Sequence, residues 1–183
     1  MDYDCENVLF CKEGLRFIKI KKNTYNLTCS IENNNIVLSK IIDFNLIKLI
    51  YDLNKDIYEK VSIKNINDNE VIATLLMKNM FEDIGMSQKF VNIHIKKETK
   101  DRQIIFTSKS VKDTIPEVIP NDSELMDIED MIIICDSINN HKMQFTFHIS
   151  FDLDLDIPNF IEKIVGVIIG KIFKRVKLFI ENV

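Results

Sequence analysis

Three aspartates alternate along residues 152–156 in the pattern Asp-x-Asp-x-Asp. Carboxylate oxygens are the ligands that Ca²⁺ prefers, so the pattern raises the question of a cation site. On a β-strand, alternate residues share one face and stand about 6.8 Å apart, which suits water better than one small ion. A calcium-binding loop would also need Gly and Glu where the chain has Ile157 and Lys163. We therefore expect neither a metal ion nor a cofactor.

The histidines and cysteines are the other residues whose chemistry could be used. His94 and His148 fall on the polar faces of predicted strands, and His141 follows a predicted turn, so solvent contact is expected for all three. The chain has no CxxC pair. A zinc site made of Cys5, Cys11 and a distant His would lack the usual paired spacing of zinc ligands. Reduced thiols in a cytoplasmic protein are the simpler expectation.

Sequence motifs of catalysis are missing. The chain has no Gly-rich phosphate loop, no HExxH and no GxSxG motif. A Cys135–His148 nucleophile pair is excluded by the predicted strand register below, which places Cys135 opposite Gln144. We predict that the protein has no catalytic residues and is not an enzyme.

Composition favours one folded domain. The chain has 183 residues, 46% of them hydrophobic and 28% charged, which is enough for a single substantial core. The formal net charge is −4, with only three arginines, and this argues against nucleic acid as a partner. No secretory signal or membrane-spanning run is visible. The abundance of Ile, Lys and Asn indicates an A+T-rich coding sequence, of the kind found in some parasites and large DNA viruses.

Hydrophobic periodicity predicts an α+β fold. Alternation predicts strands near residues 15–20, 25–31 and 36–42. The period then lengthens, which predicts a helix over 44–54 with Asp43 as its N-cap. Six further strands are predicted over 58–66, 70–78, 88–96, 102–111, 131–138 and 142–153. A long amphipathic helix over 158–181, opened by Pro158, closes the chain.

The last two strands form a predicted hairpin. With Asn139-Asn140 as a two-residue loop, Ile138 pairs with His141, which places Ile134 opposite Phe145 and Ile132 opposite Phe147. The acidic segment 112–130 is predicted to be a long loop. Two interpretations of it are open: a solvated mobile connector, or a lid over the mouth of a cavity.

Three stretches carry a resemblance to a known superfamily. They are the strand and helix at 36–53, the strand entry Met86-Ser-Gln-Lys-Phe-Val-Asn-Ile-His-Ile, and above all residues 145–180. In the last, Phe-Asp-Leu-Asp-Leu-Asp-Ile-Pro-Asn-Phe-Ile resembles the final strand, turn and "IP" helix start of START domains. The chain therefore resembles the START-like (SRPBCC, Bet v 1-like) helix-grip superfamily over about residues 25–181. The chain lacks Trp and shows Asn159-Phe160-Ile161 where those domains commonly have Trp-Leu after "IP".

The resemblance implies one domain over 1–183, in which a curved antiparallel sheet wraps around the C-terminal helix. Residues 1–24 would be an extension with an edge strand. The resemblance also implies a non-enzymatic role in binding or transferring a lipid or other hydrophobic small molecule. The expected cavity-lining residues are Phe145, Phe147, Phe151, Ile132, Ile93, Gly166, Ile169 and Phe173.

Several alternatives stay open at this point. Gly166 and Gly170 could leave room for a ligand, or could let the helix backbone approach the sheet closely. The cationic face of the last helix could contact a membrane surface transiently, or could simply be solvated. The interior could be a filled core in a structural module with a protein partner, since a fold does not determine function. A cyclase- or hydroxylase-type enzyme of the same superfamily would need polar groups in the cavity.

Overall fold

We describe a computed structural model of the chain, covering residues 7–80, 82–116 and 119–183. The strands are β1 (Val8–Lys12), β2 (Leu15–Lys21), β3 (Thr24–Glu32), β4 (Tyr58–Asn67), β5 (Glu70–Met77), β6 (Lys89–Lys100), β7 (Gln103–Ser110), β8 (Glu124–Leu125), β9 (Ile128–Asn139) and β10 (Lys142–Phe151). The helices are α1 (Asn45–Leu53) and α2 (Asn159–Asn182), and short 3₁₀ turns lie at Leu38–Lys40 and Glu82–Ile84. Cys5, and with it the Cys5–Cys11 zinc hypothesis, lies outside the described residues.

The strands form one large sheet in the order β1-β2-β3-β10-β9-β7-β6-β5-β4, and β8 adds to β6 in parallel. All neighbouring pairs along the main path are antiparallel. The pairing of β3 with β10 joins the N-terminal meander to the C-terminal hairpin. The sheet curves around α2, so the predicted helix-grip α+β fold is confirmed. The N-terminal segment contributes two strands, and β1 is an edge of the sheet.

The segment between β3 and α1 differs from the prediction. Residues 36–42 form a 3₁₀ turn with irregular flanks in place of the predicted strand. Leu38 and Ile42 are nevertheless buried, which explains why the segment has a strand-like apolar pattern. The N-cap of α1 is Phe44, one residue later than predicted, and Phe44 makes no side-chain cap. Asp43 lies just before it, and its carboxylate accepts a hydrogen bond from the Asn45 backbone N–H at 2.7 Å.

The β9–β10 hairpin also differs from the prediction, by one residue of register. The turn lies at Asn140 and His141, and an irregularity beside Lys142 shifts the pairing. Phe145 therefore lies opposite Cys135, and Phe147 opposite Ile133. A shift of one residue exchanges the two faces of a strand. His148 pairs with Ile132 on the outer face, so Cys135 and His148 remain on opposite sides of the sheet.

Part of the acidic segment 112–130, among the residues that the structure describes, packs on the outer face of the sheet. Its Ile119 joins a small apolar cluster with Leu76 and Phe90. Asn92, which is fully buried, donates hydrogen bonds to the backbone carbonyls of Val111 and Thr114 at 2.8 and 2.9 Å. The described part of the segment near Asn92 and Ile119 is thus held against β5 and β6. The segment is not one continuous loop, because it contains β8 and the start of β9, and its Ile128 belongs to the main core. The lid interpretation stays a prediction.

Helix α2 is attached to the sheet by close backbone packing and by a buried carboxylate. A Cβ added to Gly166 would come within 2.6 Å of the Leu9 Cβ atom. The glycine therefore permits close approach to β1. Glu162, which is 7% exposed, accepts hydrogen bonds from the Tyr25 hydroxyl at 2.5 Å and from the Lys19 ammonium at 2.9 Å. Burial first, and then the nearby Glu162 carboxylate, raise the pKa of Tyr25.

Candidate functional site

An apolar cavity lies between the inner face of the sheet, α1 and α2. Its volume is about 70 Å³. The walls come from β3, the segment leading into α1, α1 itself, β6, β7, β9, β10 and the C-terminal half of α2. They comprise Cys29, Ile31, Ile42, Asp43, Phe44, Leu46, Ile47, Ile50, Ile95, Phe106, Ser108, Met131, Ile133, Met143, Phe145, Phe173, Val176, Lys177 and Ile180. The cavity is therefore partly open and is lined almost wholly by apolar side chains.

Two of the predicted site residues line this cavity, and they are aromatic. Phe145 projects from β10 and Phe173 from α2, with ring centroids 5.4 Å apart. Phe147 lies directly behind them, 5.1 Å from Phe173 between centroids. The Phe173 ring thus packs against both Phe145 and Phe147 of β10 and fills much of the space between the sheet and α2. This packing explains why the cavity is small.

The other predicted residues lie elsewhere in the molecule. Phe151 packs edge-on against Tyr25, in a part of the core beside Glu162. Ile93 and Ile169 pack in the main core beyond the cavity wall. Ile132 is on the outer face of β9, as the register requires. Gly166 faces Leu9, so the structure favours its close-approach interpretation over the ligand-space one.

Sequence reasoning missed most of the α1 side of the site. Phe44, Ile47 and Ile50 line the cavity, and Phe44 packs edge-on against Phe106 of β7 with centroids 5.8 Å apart. The signal was present in the helical spacing of these residues, which predicts one apolar face. Met131 and Ile133 were missed for a different reason, because the register irregularity beside Lys142 is not encoded in the alternation.

Helix α1 forms the most exposed wall of the cavity. Every side chain of α1 keeps at least partial solvent exposure, in contrast to the fully buried positions on the strands opposite. Beyond its end, the guanidinium of Arg175 on α2 donates to both carboxylate oxygens of Asp56 and to Asn54 Oδ1, the last at 3.0 Å. The Arg175 hydrogen bond is the main cause that holds the pKa of Asp56 below its usual range. This ion pair connects the α1–β4 turn to α2.

Three polar side chains interrupt the apolar wall. Lys177 donates to the Ser30 carbonyl at 2.8 Å and to the Glu181 carboxylate, so its charge is compensated. Asp43 accepts from Asn45. Ser108 is 3% exposed, and its hydroxyl has no hydrogen-bond partner among residues 7–80, 82–116 and 119–183. Among the lining residues, Ser108 is therefore the one with a buried side-chain oxygen that has no hydrogen-bond partner in the described structure.

The buried thiols are unsuited to nucleophilic chemistry. Burial raises the pKa of Cys29 to about 11 and that of Cys135 to about 12. At neutral pH both remain thiols, whereas the thiolate is the reactive form. Cys29, Cys135 and the exposed Cys11 are free cysteines.

The described residues contain neither a metal-ligand cluster nor a membrane-spanning helix. Within that part of the chain, His, Cys, Asp and Glu side chains do not assemble into a group of three able to hold a metal ion. In the same residues, no helix has both the length and the apolar character required to cross a membrane.

Comparison with known proteins identifies the fold. No protein-family model and no curated protein sequence matches the chain. Among solved structures, the lipid transfer and protein localization domain of human StarD13 (DLC2) superimposes with a TM-score of 0.68 at 12% identity, covering 92% of this chain and 84% of that one. Human STARD10 gives 0.68 at 12% identity, with coverages of 95% and 72%.

A bacterial structure extends the likeness. A fragment of the STAR-related lipid transfer protein from Xanthomonas axonopodis gives a TM-score of 0.66 at 11% identity, covering 94% of this chain and 97% of that one. The chain therefore has the START-like helix-grip fold, over nearly its whole length. Identities of this size show the fold alone.

Proposed function

We propose that the protein binds a lipid or another hydrophobic small molecule between the sheet, α1 and α2, without chemical turnover. The observation that carries the proposal is the apolar cavity, placed in a fold shared with domains described as lipid-transfer proteins. Transfer of each methylene group from water into such a space contributes about 0.8 kcal/mol. Binding therefore needs no catalytic residue, and the buried neutral thiols supply none.

The cavity must enlarge to accept such a ligand. A water molecule occupies about 30 Å³ in the liquid, and an engineered apolar cavity of about 150 Å³ binds benzene. The volume of about 70 Å³ found here is too small for either a ring or an alkyl chain. We infer that α1 is the movable wall, because its side chains are the least buried part of the lining.

The small volume also favours a second candidate function. A core that Phe173 fills by packing on Phe145 and Phe147 would suit a structural or protein-interaction module that takes no ligand. An A+T-rich virus or parasite could use such a module with a protein partner. The two proposals differ in one observable, which is whether the interior takes up an apolar molecule.

Native mass spectrometry with solvent extraction tests this difference. We expect the purified protein, or the protein incubated with mixed lipids, to carry an apolar adduct at one-to-one stoichiometry that is lost on denaturation. Ile133→Phe should reduce the adduct because residue 133 lines the cavity. Ile132→Phe is the matched control on the outer face of the same strand. A wild-type protein that stays bare under both conditions contradicts the binding function and favours the filled core.

Ligand exchange is proposed to occur at anionic membrane surfaces. On α2, Phe160, Ile164 and Val167 lie at helical spacing and are 58%, 42% and 52% exposed. The same stripe continues into Lys171, and Lys163 lies beside it, so apolar and cationic groups combine as in interfacial helices. Flotation with vesicles should show binding to phosphatidylcholine–phosphatidylserine mixtures and none to phosphatidylcholine alone. Equal recovery with both vesicle types contradicts this role. The cytoplasmic location remains a prediction.

A further inference from the structure

Ser108 combines burial, an apolar setting and an unpartnered hydroxyl. It projects from the inner face of β7, where its neighbours across the ladder are Ile95 on β6 and Met131 on β9. All three residues line the cavity. The hydroxyl finds no hydrogen-bond partner in the described parts of the chain, although only 3% of the residue is exposed. Buried polar groups are nearly always paired. Among the described residues the hydroxyls of Ser30, Ser108 and Ser123 are exceptions, and of these three Ser108 is the one that lines the cavity.

The other polar groups of the lining restrict what could pair with Ser108. The Lys177 ammonium is already engaged by Glu181 and by a backbone carbonyl. The Asp43 carboxylate adds a negative charge at the wall. An anionic ligand headgroup would therefore lack an available cation and would face a carboxylate, which is unfavourable in an apolar space. A neutral oxygen can pair with Ser108 without this cost.

We propose that the cavity takes a neutral, mostly hydrocarbon ligand that carries one hydroxyl or carbonyl oxygen, and that Ser108 hydrogen-bonds to that oxygen. This inference rests on the proposed binding function and specifies its ligand class. The oxygen lies beside Ile95 and Met131, and the hydrocarbon part extends toward α1. Ser108 thus determines the orientation of the bound ligand.

Three probes of equal chain length test the inference: 1-octanol, n-octane and octanoate. Binding of each is measured by displacement of the neutral fluorophore N-phenyl-1-naphthylamine from wild type and Ser108→Ala. A hydrogen bond between neutral groups contributes about 1 kcal/mol, so Ser108→Ala should weaken 1-octanol about fivefold. The affinity for n-octane should stay unchanged, and octanoate should bind more weakly than 1-octanol to wild type.

Ser30→Ala provides a matched control. Ser30 also has a buried hydroxyl without a partner among the described residues, but it is on β3 outside the cavity lining. This variant should bind all three probes like wild type. A fused-ring sterol alcohol, run beside 1-octanol, distinguishes a ring scaffold from a straight chain as the source of the oxygen.

The possible results distinguish a failure of the inference about Ser108 from a failure of the proposed binding function. If 1-octanol and n-octane bind and Ser108→Ala leaves both unchanged, or weakens both equally, the role of Ser108 is wrong and the binding function stands. Tighter binding of octanoate than of 1-octanol overturns the neutral-ligand assignment. If wild type binds neither the fluorophore nor any probe, the proposed function fails and the inference fails with it.

Discussion

Replacing Asp56 with Asn should make ligand exchange faster while leaving the fold nearly as stable. The Asp56 carboxylate accepts hydrogen bonds from both terminal nitrogens of the Arg175 guanidinium. This ion pair links the turn after α1 to α2. The substitution keeps the size of the side chain and removes its charge. If α1 must move before a ligand enters, the ion pair is lost on opening, and weakening it raises the population of the open form.

The exposure of the pair sets the size of the effect. The Arg175 and Asp56 side chains are 32% and 51% exposed, so solvent screens their attraction. Exposed ion pairs contribute about 0.2–1 kcal/mol to stability. Because the Arg175–Asp56 pair is bidentate, we expect its contribution to lie near the upper value. The open population, and with it the association rate constant of an apolar ligand, should rise about three- to fivefold. The free energy of unfolding should fall by no more than about 1 kcal/mol.

Stopped-flow fluorescence with N-phenyl-1-naphthylamine measures the association rate, and urea unfolding measures stability. Glu13→Gln is the control, because Glu13 forms a comparable exposed ion pair with Lys174 of α2 at 2.7 Å but connects α2 to the β1–β2 turn. An unchanged rate in Asp56→Asn, or an equal acceleration in Glu13→Gln, would refute the role of α1 as the movable wall. The rate should also be flat between pH 5 and 8, since the lowered pKa of Asp56 keeps it ionised there.

Three further predictions concern stability, and urea unfolding tests each. Glu162→Ala should cost about 2–3 kcal/mol, because it leaves the buried Tyr25 hydroxyl and the Lys19 ammonium unpaired; a loss under 1 kcal/mol would contradict this. Stability should decline as pH rises above the ordinary tyrosine pKa of about 10, because the raised pKa of Tyr25 keeps it protonated only in the folded state; an equal decline in Tyr25→Phe would exclude Tyr25 as a cause. Gly170→Ala should destabilise by about 1–2 kcal/mol despite the better helix propensity of Ala, because its Cβ would overlap the Phe10 ring; a gain in stability would show that β1 can shift.

The fold was predictable because its strongest signals are periodic and local. Strict alternation along residues 145–151 and helical spacing through α2 each identify one buried face, and a sheet with one apolar face needs such a cover. The start of α1 was predictable to within a residue for a similar reason, since Asp43 accepts a hydrogen bond from the Asn45 backbone N–H only two residues away. None of these features depends on knowing which distant strands pair.

The site was less predictable because it depends on register and on which side of the sheet each loop takes. A single irregularity beside Lys142 moved Ile133 to the cavity and Ile132 to the outer face. Asn92 holds the start of the acidic segment on the outer face by donating hydrogen bonds to the carbonyls of Val111 and Thr114. The alternation of its strand predicts that Asn92 faces solvent, but its side chain is fully buried. Such outcomes follow from long-range pairing, and a one-dimensional pattern does not determine them.

The two candidate functions, ligand binding and a filled core, predict opposite effects of the Ser108 hydroxyl. In a protein whose interior is only a core, a buried hydroxyl without a partner costs about 1–3 kcal/mol and nothing offsets it, so alanine at this position would be the more stable choice. In a binding protein, the unpaired hydroxyl destabilises only the ligand-free state, because in the complex it forms a hydrogen bond with a ligand oxygen. That bond raises the affinity for ligands that carry the oxygen and the selectivity against those that lack it. The exposed wall of α1 has the same character, because a cover that packs less tightly lowers the stability of the closed form and eases entry. The proposed binding function thus depends on two features of one cavity, the unpartnered Ser108 hydroxyl and the exposed wall of α1, and the Ser108→Ala and Asp56→Asn variants test them separately.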